Sequence, residues 1–202
     1  MEAKEVRGEL LAYARRSCKP FEKRLYLDIS RLGECPRKLA WEMLYSGSPG
    51  EDIKLRLFVA QLMESNLVSR LVKLFGSTYV LPKPIYAMMG KLLGYTSGEF
   101  GKILVTIKSI PNDDALPDGR ASNNHYWMTQ ALMHFGHYTR CIIIYESRAS
   151  GRIRTYDITY SPSIGEECEK KAVLILDSVN EGQLPKCNCG RCKENGYIER
   201  ER

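Results

Sequence analysis

The stretch Gly94-Tyr95-Thr96-Ser97-Gly98-Glu99-Phe100-Gly101-Lys102-Ile103-Leu104-Val105-Thr106-Ile107-Lys108 decides the fold. Lys91 to Thr96 and Lys102 to Ile107 read as strands, and the polar, glycine-flanked turn at Ser97 to Gly101 joins them as a hairpin. Lys108 follows Ile103, Leu104, Val105 and Ile107 on the second strand. A lysine so placed serves a site or snorkels at the rim of a buried sheet, and it is the best single candidate for contact with phosphate.

Working outward, the order of elements predicts an α/β chain with a helical N-terminal part. Residues 3 to 16 read as a helix that ends before Lys19-Pro20. Pro36 sits where another helix starts, with Leu39, Ala40, Met43 and Leu44 as its apolar stripe. Asp52 to Phe75 has no internal Gly or Pro and reads as a long helix. Beyond the hairpin come a polar loop over 111 to 124, a helix over 125 to 138, strands at Cys141 to Tyr145 and Arg152 to Thr159, and a helix over 166 to 180. Gly182 and Pro185 stop that helix ahead of a cysteine-rich tail. A chain of 202 residues, 44% hydrophobic, suits one domain. Its parts are a helical segment over 1 to 76, an α/β core over 77 to 181 and the tail over 182 to 202.

No run of about 18 apolar residues exists, and the first residues lack the apolar stretch of a signal peptide, so a cytoplasmic protein with no membrane partner is expected. The seven cysteines then read as thiols and metal ligands rather than a disulfide framework. Cys35 stands far from Cys187, Cys189 and Cys192. Four thiolates on one centre would suit zinc or an iron-sulfur cluster and would close a loop of roughly 150 residues, whose entropic cost metal binding can offset. The alternative is an ordinary buried Cys35 and a small zinc site in the tail.

The net charge of +6 is uneven. Arg7, Arg15, Arg16, Lys19, Lys23 and Arg24 crowd the first segment, and Arg37 and Lys38 follow Cys35, a distribution that fits a polyanion such as DNA or a solvated basic helix face. On a helical wheel Glu64 falls among Ala60, Met63, Leu67, Val68 and Leu71, where a carboxylate needs a partner. Gln130, His134 and His137 share one edge of the helix over 125 to 138, beside a core face of Trp127, Ala131, Phe135 and Tyr138.

The hairpin, the Lys108-Ser109-Ile110-Pro111 continuation, Gln130 on the next helix, the early Cys35-Pro36-Arg37 and the cysteine cluster after Leu184-Pro185 together resemble the RecB-like PD-(D/E)XK nucleases. The resemblance covers roughly residues 27 to 195, and the cysteines narrow it to the iron-sulfur members typified by the CRISPR-associated RecB-like exonuclease. It implies a restriction-endonuclease-like core and a Mg²⁺- or Mn²⁺-dependent DNA exonuclease. It further implies a 4Fe-4S cluster on Cys35, Cys187, Cys189 and Cys192, and work with CRISPR adaptation proteins on single-stranded DNA or DNA with free ends. By position, Lys108 would be the motif lysine and Gln130 the helix glutamine, while Glu64 would stand where many members have a histidine. Arg37 and Lys38 would lie against DNA.

The family's metal-binding acids are absent. The aspartate of Gly-x-x-Asp-Gly is Ser97, and the acid of Glu-x-Lys is Thr106. Neutral hydroxyls cannot supply the charge that holds a hard divalent cation and activates its water. Glu99 is the candidate substitute, with Glu64 or Asp113 as second ligand. The tail's Cys-x-Cys-x-x-Cys spacing is also tighter than the family's. Two functions therefore stand ahead of a third, a purely structural iron-sulfur or zinc protein: an active exonuclease with displaced acids, or a degenerate nuclease fold that binds DNA or a partner without cutting.

Overall fold

The structure, a computed structural model, describes residues 26–45, 51–115 and 117–187, with the first seven residues of its long helix described by backbone alone. The expected helix over 3 to 16, the basic run from Arg7 to Arg24, Cys189 and Cys192 lie outside those residues.

Strand β1 (Leu27–Asp28) leads through a short turn into helix α1 (Pro36–Tyr45), which begins at the proline as its fixed φ favours. Helix α2 (Glu51–Phe75) follows, uninterrupted as its composition predicts. Then come β2 (Tyr79–Val80), β3 (Pro84–Ala87), β4 (Leu92–Tyr95), β5 (Gly98–Phe100) and β6 (Ile103–Ile110). Helix α3 (Asn123–Gly136), β7 (Arg140–Ser147), β8 (Ile153–Thr159) and helix α4 (Pro162–Asn180) complete the described elements.

The strands form two sheets, a mixed five-stranded sheet ordered β2-β5-β6-β7-β8 and a three-stranded sheet ordered β1-β4-β3. Here the structure corrects the hairpin read from sequence. The antiparallel partner of β6 is β5, with Gly98 opposite Val105, whereas β4 pairs with β3 and β1 in the smaller sheet. The chain changes sheets at one peptide: the Thr96 amide bonds the Lys83 carbonyl and the Ser97 amide bonds the Val105 carbonyl. Strand β3 and the two-residue β1 carry too short a pattern to be read from sequence. Gly94 permits the small sheet to approach α3, because a Cβ there would lie 2.9 Å from Ile29 and from Leu132.

Strand β6 is central and buried on both faces, so its sequence is a near-continuous apolar run. Val105 and Ile107 pack with Leu67 and Leu71 of α2 and with Tyr79 and Ile144. Leu104 and Ile110 face the larger core with Leu132, Ala131, Ile143 and Ala172 from α3, β7 and α4. The parallel β6–β7 pair, with α3 as its crossover, fixes the distance between Lys108 and the start of α3. On α2, Arg70 reaches the carboxylate of Glu146, which is buried on β7. No helix among the described residues is long and apolar enough to cross a membrane.

Candidate active site cleft

Strand β5 meets β6 only as far as Gly98 opposite Val105, and β6 runs on alone on that edge. The Ile107 amide therefore has no strand partner there. It donates instead to the Ser97 hydroxyl at 3.0 Å, and that hydroxyl donates to Oε1 of Glu64 at 2.6 Å. The carboxylate that looked costly on the apolar face of α2 thus has its partner. The Tyr79 hydroxyl donates to the Ser97 carbonyl at 2.6 Å, over a Gly98 whose φ of +149° and lack of Cβ leave room for the ring. Burial, together with the Glu64 carboxylate, pushes the Tyr79 phenol up to about 12, so it remains a donor.

Lys108 is the residue after Ile107, on the opposite face of β6, at a cleft of about 650 Å³ lined also by Cys35, Lys38, His125, Lys171 and Cys187. Desolvation lowers its pKa, while the carboxylates of Glu64 and Asp28 work the other way and favour its charge. Asp28 is held in place by the Ser30 amide at 2.9 Å and the Ser30 hydroxyl at 2.7 Å. A lysine beside an open cleft, with two carboxylates favouring its charged form, is suited to receive a phosphate oxygen.

His125 stands next to it, in the first turn of α3. Tyr145 accepts from the Ser122 amide at 3.2 Å, and its hydroxyl shares a hydrogen bond with Nδ1 of His125 at 2.8 Å. Burial first, and Lys108 second, push the imidazole down to about 4, and it is neutral at pH 7.

The other residues singled out from sequence lie in different surroundings. Thr106 is buried with its hydroxyl 3.8 Å from the Cys141 sulfur. Glu99 is opposite Leu104, so it shares that face of the sheet, and its carboxylate is 2.5 Å from Nζ of Lys83. Asp113 accepts from Ser150 at 2.6 Å on an exposed loop. Gln130 is fully buried: its Nε2 donates to the Thr159 carbonyl at 2.9 Å and its Oε1 accepts from the Ser161 amide at 2.8 Å. It joins the end of β8 to the start of α4. His134 bonds the Tyr160 hydroxyl at 2.7 Å, and His137 caps α3 in the left-handed region. Lys38 pairs with Glu34, and Arg37 donates to the Pro185 carbonyl at 3.3 Å.

Cys35 and Cys187 meet at the cleft with their sulfurs 3.1 Å apart. A soft metal centre fits this pair, with two further thiolates required from the tail. A hard divalent cation of the family kind does not fit the residues around Lys108. Glu64 is the carboxylate at the sheet edge, Ser97 adds a hydroxyl already committed to it, and Thr106 is turned toward Cys141. Among the described residues no group of three His, Cys, Asp or Glu side chains is arranged to hold a metal ion.

Sequence reasoning missed Asp28 and His125. A two-residue strand has no readable period, and a side chain in a first helical turn leans back over the residues that precede it, outside a helix assigned to start at 125.

The chain has a nuclease-like α/β fold, shared with solved exonucleases. The alkaline exonuclease LHK-Exo from Laribacter hongkongensis, in its complex with dAMP, superimposes with a TM-score of 0.63 at 13% identity over 79% of this chain and 90% of that one. A second structure of that enzyme gives 0.58 at 13% identity over 86% and 93%. A phage-related exonuclease from Haemophilus somnus gives 0.58 at 11% identity over 78% and 94%. At these identities the likeness is one of fold. No family model matches the sequence, and no curated protein matches it.

Proposed function

We propose that this chain is a DNA-processing protein that binds DNA at the Lys108 cleft without hydrolysing it, a nuclease fold whose metal-binding acids have been lost. One observation carries this: the Ser97 hydroxyl occupies the junction between Glu64 and the Ile107 amide, where the family's hairpin aspartate would stand. One carboxylate at that edge is too little negative charge to hold Mg²⁺ or Mn²⁺ in position for hydrolysis. What remains is a site for a phosphate at Lys108, in a chain of net charge +6. Its role is then to hold DNA ends, or to act as an accessory to an active enzyme; CRISPR spacer adaptation is the setting that the sequence resemblance suggests. A 4Fe-4S or zinc centre on Cys35, Cys187, Cys189 and Cys192 would serve as the scaffold that fastens the tail to α1, a reading supported by the closeness of Cys35 and Cys187.

A metal-dependent exonuclease is the second reading, and it too has an observation in its favour. Asp28 and Glu64 both act on Lys108, from different elements, and would serve as displaced acids. The test is Mn²⁺-dependent cleavage of end-labelled single-stranded DNA by protein purified without oxygen, with binding and the visible spectrum recorded on the same sample. Salt-sensitive binding without cleavage is expected. Cleavage abolished by Lys108→Ala and by Asp28→Asn would overturn the first reading in favour of the second.

A further inference from the structure

The outer face of the three-stranded sheet carries three exposed aromatic rings. Tyr26 is 39% exposed, Tyr86 66% and Tyr95 60%. In the register of β3 and β4, Tyr86 is opposite Leu93, and Tyr95 lies two residues further along the same face of β4. Asp28 of β1 is opposite Leu93 on the other side, with Tyr26 two residues before it. Leu93 itself is only 8% exposed, so the surrounding side chains roof it over. Desolvation raises the Tyr95 pKa first, and the nearby Tyr26, Tyr86 and Asp28 raise it further, which places these groups around one point. The opposite face of the same sheet is spent on the core, through Leu92, Ile85 and Leu27.

Large exposed aromatics on one face are more than folding requires, since a surface position gains little from a ring. The choice of tyrosine three times gives flat π-faces with polar tips that stay wet. Their position supplies the second argument. Tyr95 is two residues from Ser97, whose hydroxyl binds Glu64, and Tyr26 is two residues from Asp28, which acts on Lys108. Both strands of the platform are thus tied in sequence to groups that act on Lys108. Exposed Lys91 lies at one end of β4 as a cation beside the rings, whereas Lys83, which precedes Pro84 at the other end, is paired with Glu99. Rings that accept bases, with a cation at their margin for phosphates, are the elements of a single-strand binding surface.

We propose that Tyr26, Tyr86 and Tyr95 form a stacking platform for unpaired bases, which leads single-stranded DNA to the Lys108 cleft. This rests on the DNA-binding reading above and deepens it by naming the surface that would take unpaired bases, since bases in a duplex keep their faces stacked on one another. Tyr86 and Tyr95 are the principal contacts because they are the more exposed.

The test uses the full chain and fluorescently labelled oligonucleotides: single-stranded oligo-dT, an abasic strand of the same length, and a blunt duplex. Wild type is expected to bind oligo-dT more tightly than either of the others. Tyr86→Ala with Tyr95→Ala should weaken oligo-dT binding by roughly tenfold or more. The same pair should leave abasic binding and the salt slope unchanged, because phosphate contacts remain. Tyr86→Phe with Tyr95→Phe should keep the affinity, since the ring does the stacking, and both pairs should melt like wild type. Unchanged oligo-dT affinity in the alanine pair, or an equal loss on the abasic strand, overturns the platform and leaves the Lys108 reading standing. Wild type that binds none of the three probes overturns the DNA-binding reading and the platform together.

Discussion

The sulfurs of Cys35 and Cys187 lie 3.1 Å apart although 152 positions separate them in the chain. Cys35 is held at the start of α1, and Cys187 follows the Leu184-Pro185 segment, where Arg37 of the same helix donates to the Pro185 carbonyl. A centre bound there closes a loop that spans almost every described element.

With the proposed centre in place, Cys35→Ser and Cys187→Ser should destabilise the protein by similar amounts, about 3 kcal/mol each, because either would open the same loop. The melting temperature should fall by roughly 6 to 12 °C in both. Visible absorbance, if the centre is iron-sulfur, should fall with it. A mild effect at Cys35 beside a large one at Cys187 would show a site local to the tail.

Under the proposed reading, an acid placed at Ser97 should create a metal site. In Ser97→Asp a second carboxylate faces Glu64 without the hydroxyl that now donates to it, and the two charges repel. The metal-free variant should lose about 1 to 2 kcal/mol, which is roughly 2 to 8 °C in melting temperature. Millimolar Mn²⁺ should then raise its melting point while leaving wild type nearly unchanged, since a ligand that binds only the folded state stabilises it. Equal Mn²⁺ responses in the two proteins would show that Ser97 is not at a metal position.

Gln130→Ala tests whether this residue is structural. Its amide satisfies the Thr159 carbonyl and the Ser161 amide at once, and it is fully buried. Truncation leaves both backbone groups without that partner, at a cost of about 2 to 3 kcal/mol. Thermal unfolding should record this loss, whereas DNA affinity, measured well below the melting point, should stay within about twofold. A large loss of affinity with no loss of stability would return Gln130 to the site.

Sequence legibility followed the length of the physical signal. Helix α2 was readable because 24 residues from Asp52 to Phe75 contain no breaker, and β6 because Ile103, Leu104, Val105 and Ile107 make the first part of a strand buried on both faces apolar. Lys108 stood out as the charge at the end of that run. The switch between sheets at Thr96 and Ser97 was not readable, since it rests on which distant carbonyl, Lys83 or Val105, each amide finds. For the same reason Glu99 looked free to approach Ser97, while the fold sets it against Lys83. Arg70 and Glu146 gave no local sign of their ion pair, which α2 and β7 make only after they pack.

That pair supports a prediction of its own. Glu146 is 4% exposed, whereas the Arg70 side chain is 43% exposed, so removing the arginine strands a buried carboxylate. Arg70→Ala should cost about 2 kcal/mol, the full buried-pair penalty being reduced by solvent at the arginine. Glu146→Gln in the same background should recover most of it, because a neutral amide needs no counter-charge. Chemical denaturation of the three proteins measures both steps. If the double variant is no more stable than Arg70→Ala alone, the loss comes from packing of the arginine stem against the sheet.

His125 should make the protein sensitive to mild acid. Its folded pKa of about 4 lies below the ordinary 6.5, so between those values the unfolded chain binds the proton and the folded chain does not. Stability therefore rises with pH through this window and is lost as pH falls from 6.5 toward 4. The loss should approach about 2 kcal/mol, after discounting for the part of the ring that solvent reaches. The chemistry is specific: a charged imidazole is opposed first by its burial and then by Lys108 beside it. His125→Asn cannot take up that proton, so its stability should be flatter between pH 6.5 and 4 than that of wild type. Parallel slopes in the two proteins over that range would assign the acid sensitivity to groups other than His125.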